Sequence, residues 1–109
     1  MLTLTGGARI FFHDSPTDMR KGFEGLSSLV ERTFEAPLTS GAYFVFLNRQ
    51  RNRMKILYWD GDGLALWHKR LEKGSFAKRN GEGVLMDRRE FFMLLEGITP
   101  KHIQKRFKI

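Results

Sequence analysis

The segment 48–55 is the most basic stretch of the chain, and it alternates basic with polar side chains. Its bases are Arg49, Arg51, Arg53 and Lys55. In an extended strand alternate residues point the same way, so we expect these four to form one stripe. Arginine suits phosphate because its planar fork donates two hydrogen bonds at once. The intervening Asn48, Gln50 and Asn52 can donate to phosphate or read a base edge. The pattern predicts nucleic-acid contact, with a solvated hairpin tip as the alternative.

Two further groups of bases follow in the sequence. The first group comprises His68, Lys69, Arg70, Lys73, Lys78 and Arg79. We read residues 73–83 as a mobile loop, which either orders on a phosphate backbone or remains a solvated tip. The second group comprises Lys101, Lys105, Arg106 and Lys108. For that group, favourable placement at the negative end of a helix dipole explains the bases slightly better than a ligand does.

The net charge of the chain lies entirely in its second half. The 109 residues include 19 Lys and Arg against 12 Asp and Glu, a formal charge of +7. Residues 1–48 carry four bases against five acids, whereas residues 49–109 carry 15 against seven. One-sided positive charge favours an anionic polymer as partner, with nucleic acid first among these. A merely solvated cationic surface is the alternative.

Enzymatic sites have little support in the sequence. The chain has no cysteine, which excludes a disulfide framework, a thiolate metal site and a cysteine nucleophile. His13, His68 and His102 are far apart without metal-ligand spacing. Asp60 and Asp62 are explained by a turn. We therefore expect no catalytic residue, no metal and no cofactor. We also expect a cytoplasmic protein with no membrane partner, since no signal peptide precedes it and no apolar run approaches the ~20 residues of a span.

The elements that position these side chains predict an α+β fold in one domain over residues 1–109. We expect a small antiparallel sheet, made of a β-meander over about 42–71 and an N-terminal strand over about 8–13. The strongest turn signal in the meander is Asp60-Gly61-Asp62-Gly63. Helices are predicted over about 17–35, 87–97 and 100–107, and residues 99–109 form a basic C-terminal tail or helix. An outer strand of such a sheet leaves homodimerisation open.

The first predicted helix carries an apolar stripe and two glycines. The stripe consists of Met19, Phe23, Leu26, Val30 and Phe34. Ser15 or Thr17 is the expected cap, with Pro16 in the first turn. Gly22 and Gly25 lie beside the stripe, so we expect another backbone to approach them closely.

The run Thr17-Asp18-Met19-Arg20-Lys21-Gly22-Phe23-Glu24-Gly25-Leu26 is the first of several recognisable blocks in the chain. Others are Phe44-Val45-Phe46, the run Arg53 to Leu64, the run Lys69 to Phe76, and Leu94 to Ile98. Together these blocks resemble the small accessory protein TnpB of the insertion-sequence-66 family of bacterial transposable elements. The resemblance covers about residues 8–98 and leaves the basic tail outside.

The resemblance implies a bacterial, non-enzymatic role in transposition beside a separate DDE-type transposase. Our first hypothesis is a protein that binds the DNA of the element ends electrostatically. The second is an adaptor that docks on the transposase without touching DNA, using an exposed aromatic such as Trp67 or one of Phe91 and Phe92. The family motif residues are Asp18, Arg20, Lys21 and Gly22. For Asp18 we favour a cap and an ion pair with Arg20 or Lys21 over a ligand site.

Overall fold

In a computed structural model, which describes residues 7–79 and 83–96, five strands form one sheet between two helices. The strands are β1 (Ile10–Phe12), β2 (Tyr43–Leu47), β3 (Arg53–Trp59), β4 (Leu64–Arg70) and β5 (Leu85–Met86). The helices are α1 (Phe23–Thr33) and α2 (Arg88–Glu96), with a short 3₁₀ turn at Leu38–Ser40. The predicted α+β class is confirmed.

The strand order is β4-β3-β2-β1-β5, and all neighbours but one are antiparallel. The predicted meander is β2-β3-β4, and its second turn closes where Asp60 N–H donates to the Gly63 carbonyl at 2.7 Å. β1 differs from the prediction, because it runs parallel to β2, with Ile10 opposite Tyr43. The sheet is therefore mixed. A parallel neighbour needs a long crossover, and α1 supplies it.

The sheet is covered on both faces, and alternate residues of β2 divide between the two. Phe44 and Phe46 face α1, where they pack with buried Leu26 and Val30. The other three residues of β2 (Tyr43, Val45 and Leu47) face Phe91 and Leu94 of α2. Every residue of β2 is buried as a result. The turn that follows β2 therefore starts from a fully buried strand.

Helix α1 is shorter than predicted, because residues 17–22 form a loop rather than its first turns. The helix begins after Gly22, which is extended and makes no side-chain cap. Thr17 does not cap the helix; its N–H donates to the Leu47 carbonyl at 2.8 Å. The expected close approach of a backbone to the glycines was also wrong. A Cβ built on Gly22 meets nothing within 4 Å, and one on Gly25 meets only the Lys21 side chain at 3.1 Å.

The segment between β4 and β5 is packed in its central part, contrary to the mobile loop that we expected. Phe76 is 1% exposed and belongs to the core on the α2 face. Its N–H donates to the Arg51 carbonyl at 2.6 Å. As predicted, Asp87 caps α2, since its carboxylate accepts the Glu90 N–H at 2.7 Å. The predicted helix 100–107 and the basic tail 99–109 lie outside the described residues.

Candidate nucleic-acid interface

Asn48 organises the turn between β2 and β3. Its side-chain Oδ1 accepts the N–H groups of Asn52 and Arg53, each at 3.0 Å. Its Nδ2 donates to Asn52 Oδ1 at 2.7 Å, and its carbonyl accepts the Arg51 N–H at 3.1 Å. An asparagine that bonds to the backbone of its own turn mimics a further backbone turn. The chain therefore reverses at 48–52, where the predicted meander has its first turn, and sequence reasoning missed this role of Asn48.

The turn directs Arg51 away from the other arginines, so the expected stripe is not formed. Arg51 has a positive φ of 58°. Its guanidinium donates to the carbonyls of Phe76 (3.3 Å) and Ala77, on the α2 side of the sheet. Burial lowers the pKa of Arg51. This side chain fastens the β4–β5 segment to the turn.

Lys55 also leaves the expected stripe, because its place on β3 is interior. The residue is 8% exposed. Its Nζ donates to the carbonyls of Met19 and Lys21, both at 2.7 Å. Odd positions of β3 face α1, so the lysine stem crosses the core and its ammonium meets the loop before the helix. Lys55 is a buried cation held by backbone carbonyls.

Asp18 and Arg20 form an ion pair in that same loop. Arg20 Nε donates to Oδ1 at 3.1 Å and to Oδ2 at 3.0 Å, and Nη2 donates to Oδ2 at 2.7 Å. The backbone N–H of Arg20 donates to Oδ1 at 2.9 Å. These bonds, the side-chain bonds first, lower the pKa of Asp18 to about 2. The expected ion pair is present, although the carboxylate closes a turn at 18–20 and does not cap α1.

The β1–α1 loop and the β2–β3 turn enclose an open groove of about 700 Å³, which we call the arginine groove. Residues 16–20 form one wall, and Asn48, Arg49, Gln50, Asn52 and Arg53 form the other. Three arginines (Arg20, Arg49 and Arg53) line it against a single carboxylate. The bond from Thr17 N–H to Leu47 holds the two walls together. Arg49 is exposed and makes no hydrogen bond or ion pair with the residues that the structure describes.

Bases of β4 extend this positive surface beyond the groove. Arg70 lies directly opposite Arg53 in the β3–β4 register, and His68 lies opposite Lys55. All four are on the sheet face that carries α1. Partial burial, followed by the charges of Lys55, Arg53 and Arg70, lowers the pKa of His68. Arg70 reaches one counter-charge, Glu72, at 3.6 Å, and that pair is exposed.

The remaining predicted contacts, which are Lys69, Lys78 and Arg79, lie in different environments. Lys69 is exposed but opposes Met54, so it lies on the opposite sheet face from Arg53. Lys78 is exposed in the segment after Phe76. The Arg79 side chain is 7% exposed; its Nε meets Glu90 at 2.5 Å, and its Nη2 donates to the Leu85 carbonyl at 2.7 Å. Arg79 is therefore a structural residue, which joins the β4–β5 segment to α2.

Other kinds of site find no support in residues 7–79 and 83–96. They contain no group of three His, Asp or Glu side chains that could hold a metal. Tyr58 and Trp67 pack on the α2-side core and Trp59 points to the other face, so these three aromatics form no shared surface on which bases could stack. Within the same residues, no helix has the length and apolarity needed to cross a bilayer.

Comparisons with known proteins find one family and two relatives. A family model described as "IS66 Orf2 like protein" matches residues 8–105. The uncharacterized protein y4jC of Sinorhizobium fredii is 33% identical over 108 residues, which cover 97% of this chain and 92% of that protein. The uncharacterized protein y4hO of the same organism is 31% identical over 110 residues, which cover 99% of this chain and 96% of that protein. No solved structure shows a significant match.

Proposed function

The chain belongs to the IS66 Orf2-like family of transposition-associated accessory proteins, and from that membership we propose a non-enzymatic protein that binds DNA phosphates at the arginine groove. The contacts are Arg49 and Arg53 in the groove and Arg70 beside it. Lys69 and Lys78 are outlying contacts. Arg51, Lys55 and Arg79 are removed from the predicted set, because their charged groups are held by the protein itself.

The observation that carries the proposal is the pairing of like charges at the end of the hairpin. Arg53 and Arg70 are directly opposite each other across β3 and β4. Like charges in this position destabilise a sheet by about 0.2–1 kcal/mol. A bound phosphate would convert the repulsion into attraction, since each guanidinium can donate two hydrogen bonds to it. The arrangement therefore favours an anion over bare solvent.

The groove supports recognition of the DNA backbone more than recognition of bases. Both ends of the Asn48 amide are engaged, as are the oxygens of Asn52 and, at 3.3 Å, of Gln50. The amide nitrogens of Asn52 and Gln50 make none of these bonds, so the capacity to read base edges is reduced to two NH2 groups. The exposed arginines remain, and phosphate contacts position a protein on DNA without specifying sequence. We expect weak preference for element-end DNA over random DNA of equal length.

The test is a salt titration of binding to labelled duplex DNA by fluorescence anisotropy. If about four phosphates are neutralised, the logarithm of the affinity should fall with the logarithm of salt at a slope near −4. R49A, R53A and R70A should each reduce that slope by about 0.9. The matched control is R32A, an exposed arginine at the opposite end of α1 from the groove. Equal slopes for all variants, or no binding at low salt, would exclude the proposed function.

A second candidate function is the adaptor, and one observation favours it. Phe91 is buried, whereas the adjacent Phe92 is 45% exposed on α2. If this ring docks on the transposase, F92S should abolish co-purification of the co-expressed transposase after nuclease treatment. F23S is the control, because Phe23 is a similarly exposed phenylalanine on α1. Loss of the wild-type complex on nuclease treatment would instead leave DNA as the link between the two proteins.

A further inference from the structure

We propose that Arg20 is a further DNA phosphate contact of the arginine groove, and that Asp18 and the buried Lys55 are positioning residues that hold it there. This inference rests on the proposed function. It assigns a role to the family-motif loop that separates β1 from α1. It also changes the role of Lys55 from a contact, as its sequence position suggests, to a support beneath the contact.

Arg20 lies on the wall of the arginine groove that residues 16–20 form. Its guanidinium shares the groove with Arg49 and Arg53 but comes from the opposite wall. The side chain is 91% exposed and yet fixed, because Asp18 accepts from its Nε, its Nη2 and its backbone N–H. A guanidinium has more N–H donors than this pairing uses. The remaining donors can reach a phosphate without breaking the ion pair.

The ion pair with Asp18 restricts the Arg20 side chain before any DNA is bound. A free arginine loses side-chain conformational entropy when it is immobilised. Arg20 is already held by Asp18, so less is lost on binding. The ion pair therefore preorganises the contact, even though it places a carboxylate in a groove that binds anions.

The backbone on either side of Arg20 is held by Lys55. Lys55 Nζ donates at 2.7 Å to the carbonyls of Met19 and Lys21, which are the residues on either side of Arg20. The lysine is 8% exposed and so is not itself available to DNA. The Lys55 ammonium therefore fixes the backbone on both sides of Arg20, whereas the Asp18 carboxylate fixes the Arg20 side chain.

The sharpest experiment compares two neutralised acids by the same anisotropy assay. D18N and E24Q each remove one exposed negative charge from this region, so simple electrostatics predicts tighter binding for both. We expect E24Q to bind slightly tighter and D18N to bind roughly threefold weaker, since Asn cannot hold the guanidinium by an ion pair. D18N that tightens binding as E24Q does would overturn the role of Asp18 and the preorganised contact.

Arg20 and Lys55 are tested by a double-mutant cycle. R20A should weaken binding roughly tenfold, the size of one charge-assisted bond, and reduce the salt slope by about 0.9, with R32A again unchanged. K55M should lower the DNA affinity of the otherwise wild-type protein and should lower that of R49A by the same factor. Added to R20A, K55M should have little effect on the affinity. Equal effects of K55M in R20A and in the wild type would show that Lys55 does not act through Arg20. The D18N comparison decides the proposal if K55M does not fold.

Failure of this inference is distinguishable from failure of the proposed function. Wild-type binding that depends on Arg49, Arg53 and Arg70 but not on Arg20 would remove the inference and leave the function. Binding that ignores all four arginines would remove both.

Discussion

Replacing Arg79 by methionine should destabilise the fold and leave DNA binding intact, although the sequence pattern places this arginine among the DNA contacts. Its side chain is 7% exposed. It donates to Glu90, to the carbonyls of Gly83 and Leu85, and lies 5.4 Å from the centre of the Phe12 ring. Methionine fills much of the same volume but satisfies none of these acceptors.

The size of the destabilisation expected for R79M follows from the two carboxylates that pair with Arg79, those of Asp14 and Glu90. Asp14 is 65% exposed at 3.7 Å, so its pair with Arg79 contributes little. Glu90 is only 20% exposed at 2.5 Å and would be left without its partner. Breaking a buried pair costs about 3–5 kcal/mol, and the remaining exposure of Glu90 places R79M near the lower figure, about 3 kcal/mol. For a domain of this size, that loss lowers Tm by roughly 12–20 °C.

The assay is urea unfolding followed by tryptophan fluorescence, together with anisotropy measured well below the Tm of the variant. The matched control is K78M, an exposed neighbour, for which the free energy of unfolding should change by less than about 0.5 kcal/mol. R79M should keep wild-type affinity, whereas K78M should reduce the salt slope. An R79M protein as stable as K78M, or a folded R79M that has lost DNA affinity, would refute the structural role of Arg79.

Three further predictions concern titration and backbone strain. By NMR, the Asp18 carboxyl should titrate near pH 2, and at higher pH in R20A, which loses the guanidinium but keeps the backbone N–H bond. Because the folded-state pKa of Asp18 is lowered, its contribution to stability is present above 3.8 and is lost as the pH falls toward 2. In the same NMR titration, the His68 imidazole should have a pKa below 6.5, and that pKa should rise in R70A or when duplex DNA is bound. Because the folded-state pKa of His68 is lowered, the free energy of unfolding should decrease as the pH falls below 6.5. In urea unfolding, R51A should be less stable than R51G by up to about 1 kcal/mol, because both lose the guanidinium bonds but only glycine adopts a φ of 58° without strain; equal stabilities would contradict the strain at this position.

The meander was predictable because its signals are local. Strand alternation and the Asp60–Gly63 turn act over a few residues, and the structure places both as expected. The parallel pairing of β1 was not predictable in this way, since Ile10 and Tyr43 are joined by contacts distant in sequence. The start of α1 was misjudged because Pro16 and Thr17 resemble an N-terminal helix signal. In the folded chain Thr17 is instead bonded to β2, and the Asp18 carboxylate closes a turn at Arg20.

The candidate site was predictable in residue type and not in geometry. The arginine-rich segment does supply Arg49 and Arg53 to the groove. The single stripe required an extended backbone, but Asn48 reverses the chain and Arg51 takes a positive φ. The opposite wall, with Arg20, comes from residues about 30 positions earlier. Only the three-dimensional fold could bring the two segments together.

The position of β1 in the sheet has a consequence during synthesis on the ribosome. Strand β1, the first of the described strands to be translated, lies between β2 and β5, so its outer edge is covered only after Leu85 and Met86 have emerged. Until then, β1 presents an unpaired edge next to a largely apolar sheet, which is a template for aggregation. Products of premature termination before residue 85 would retain the meander and the arginine groove but would expose that edge. The short β5 covers that edge, and we therefore expect products that end before residue 85 to be less soluble than products that include β5.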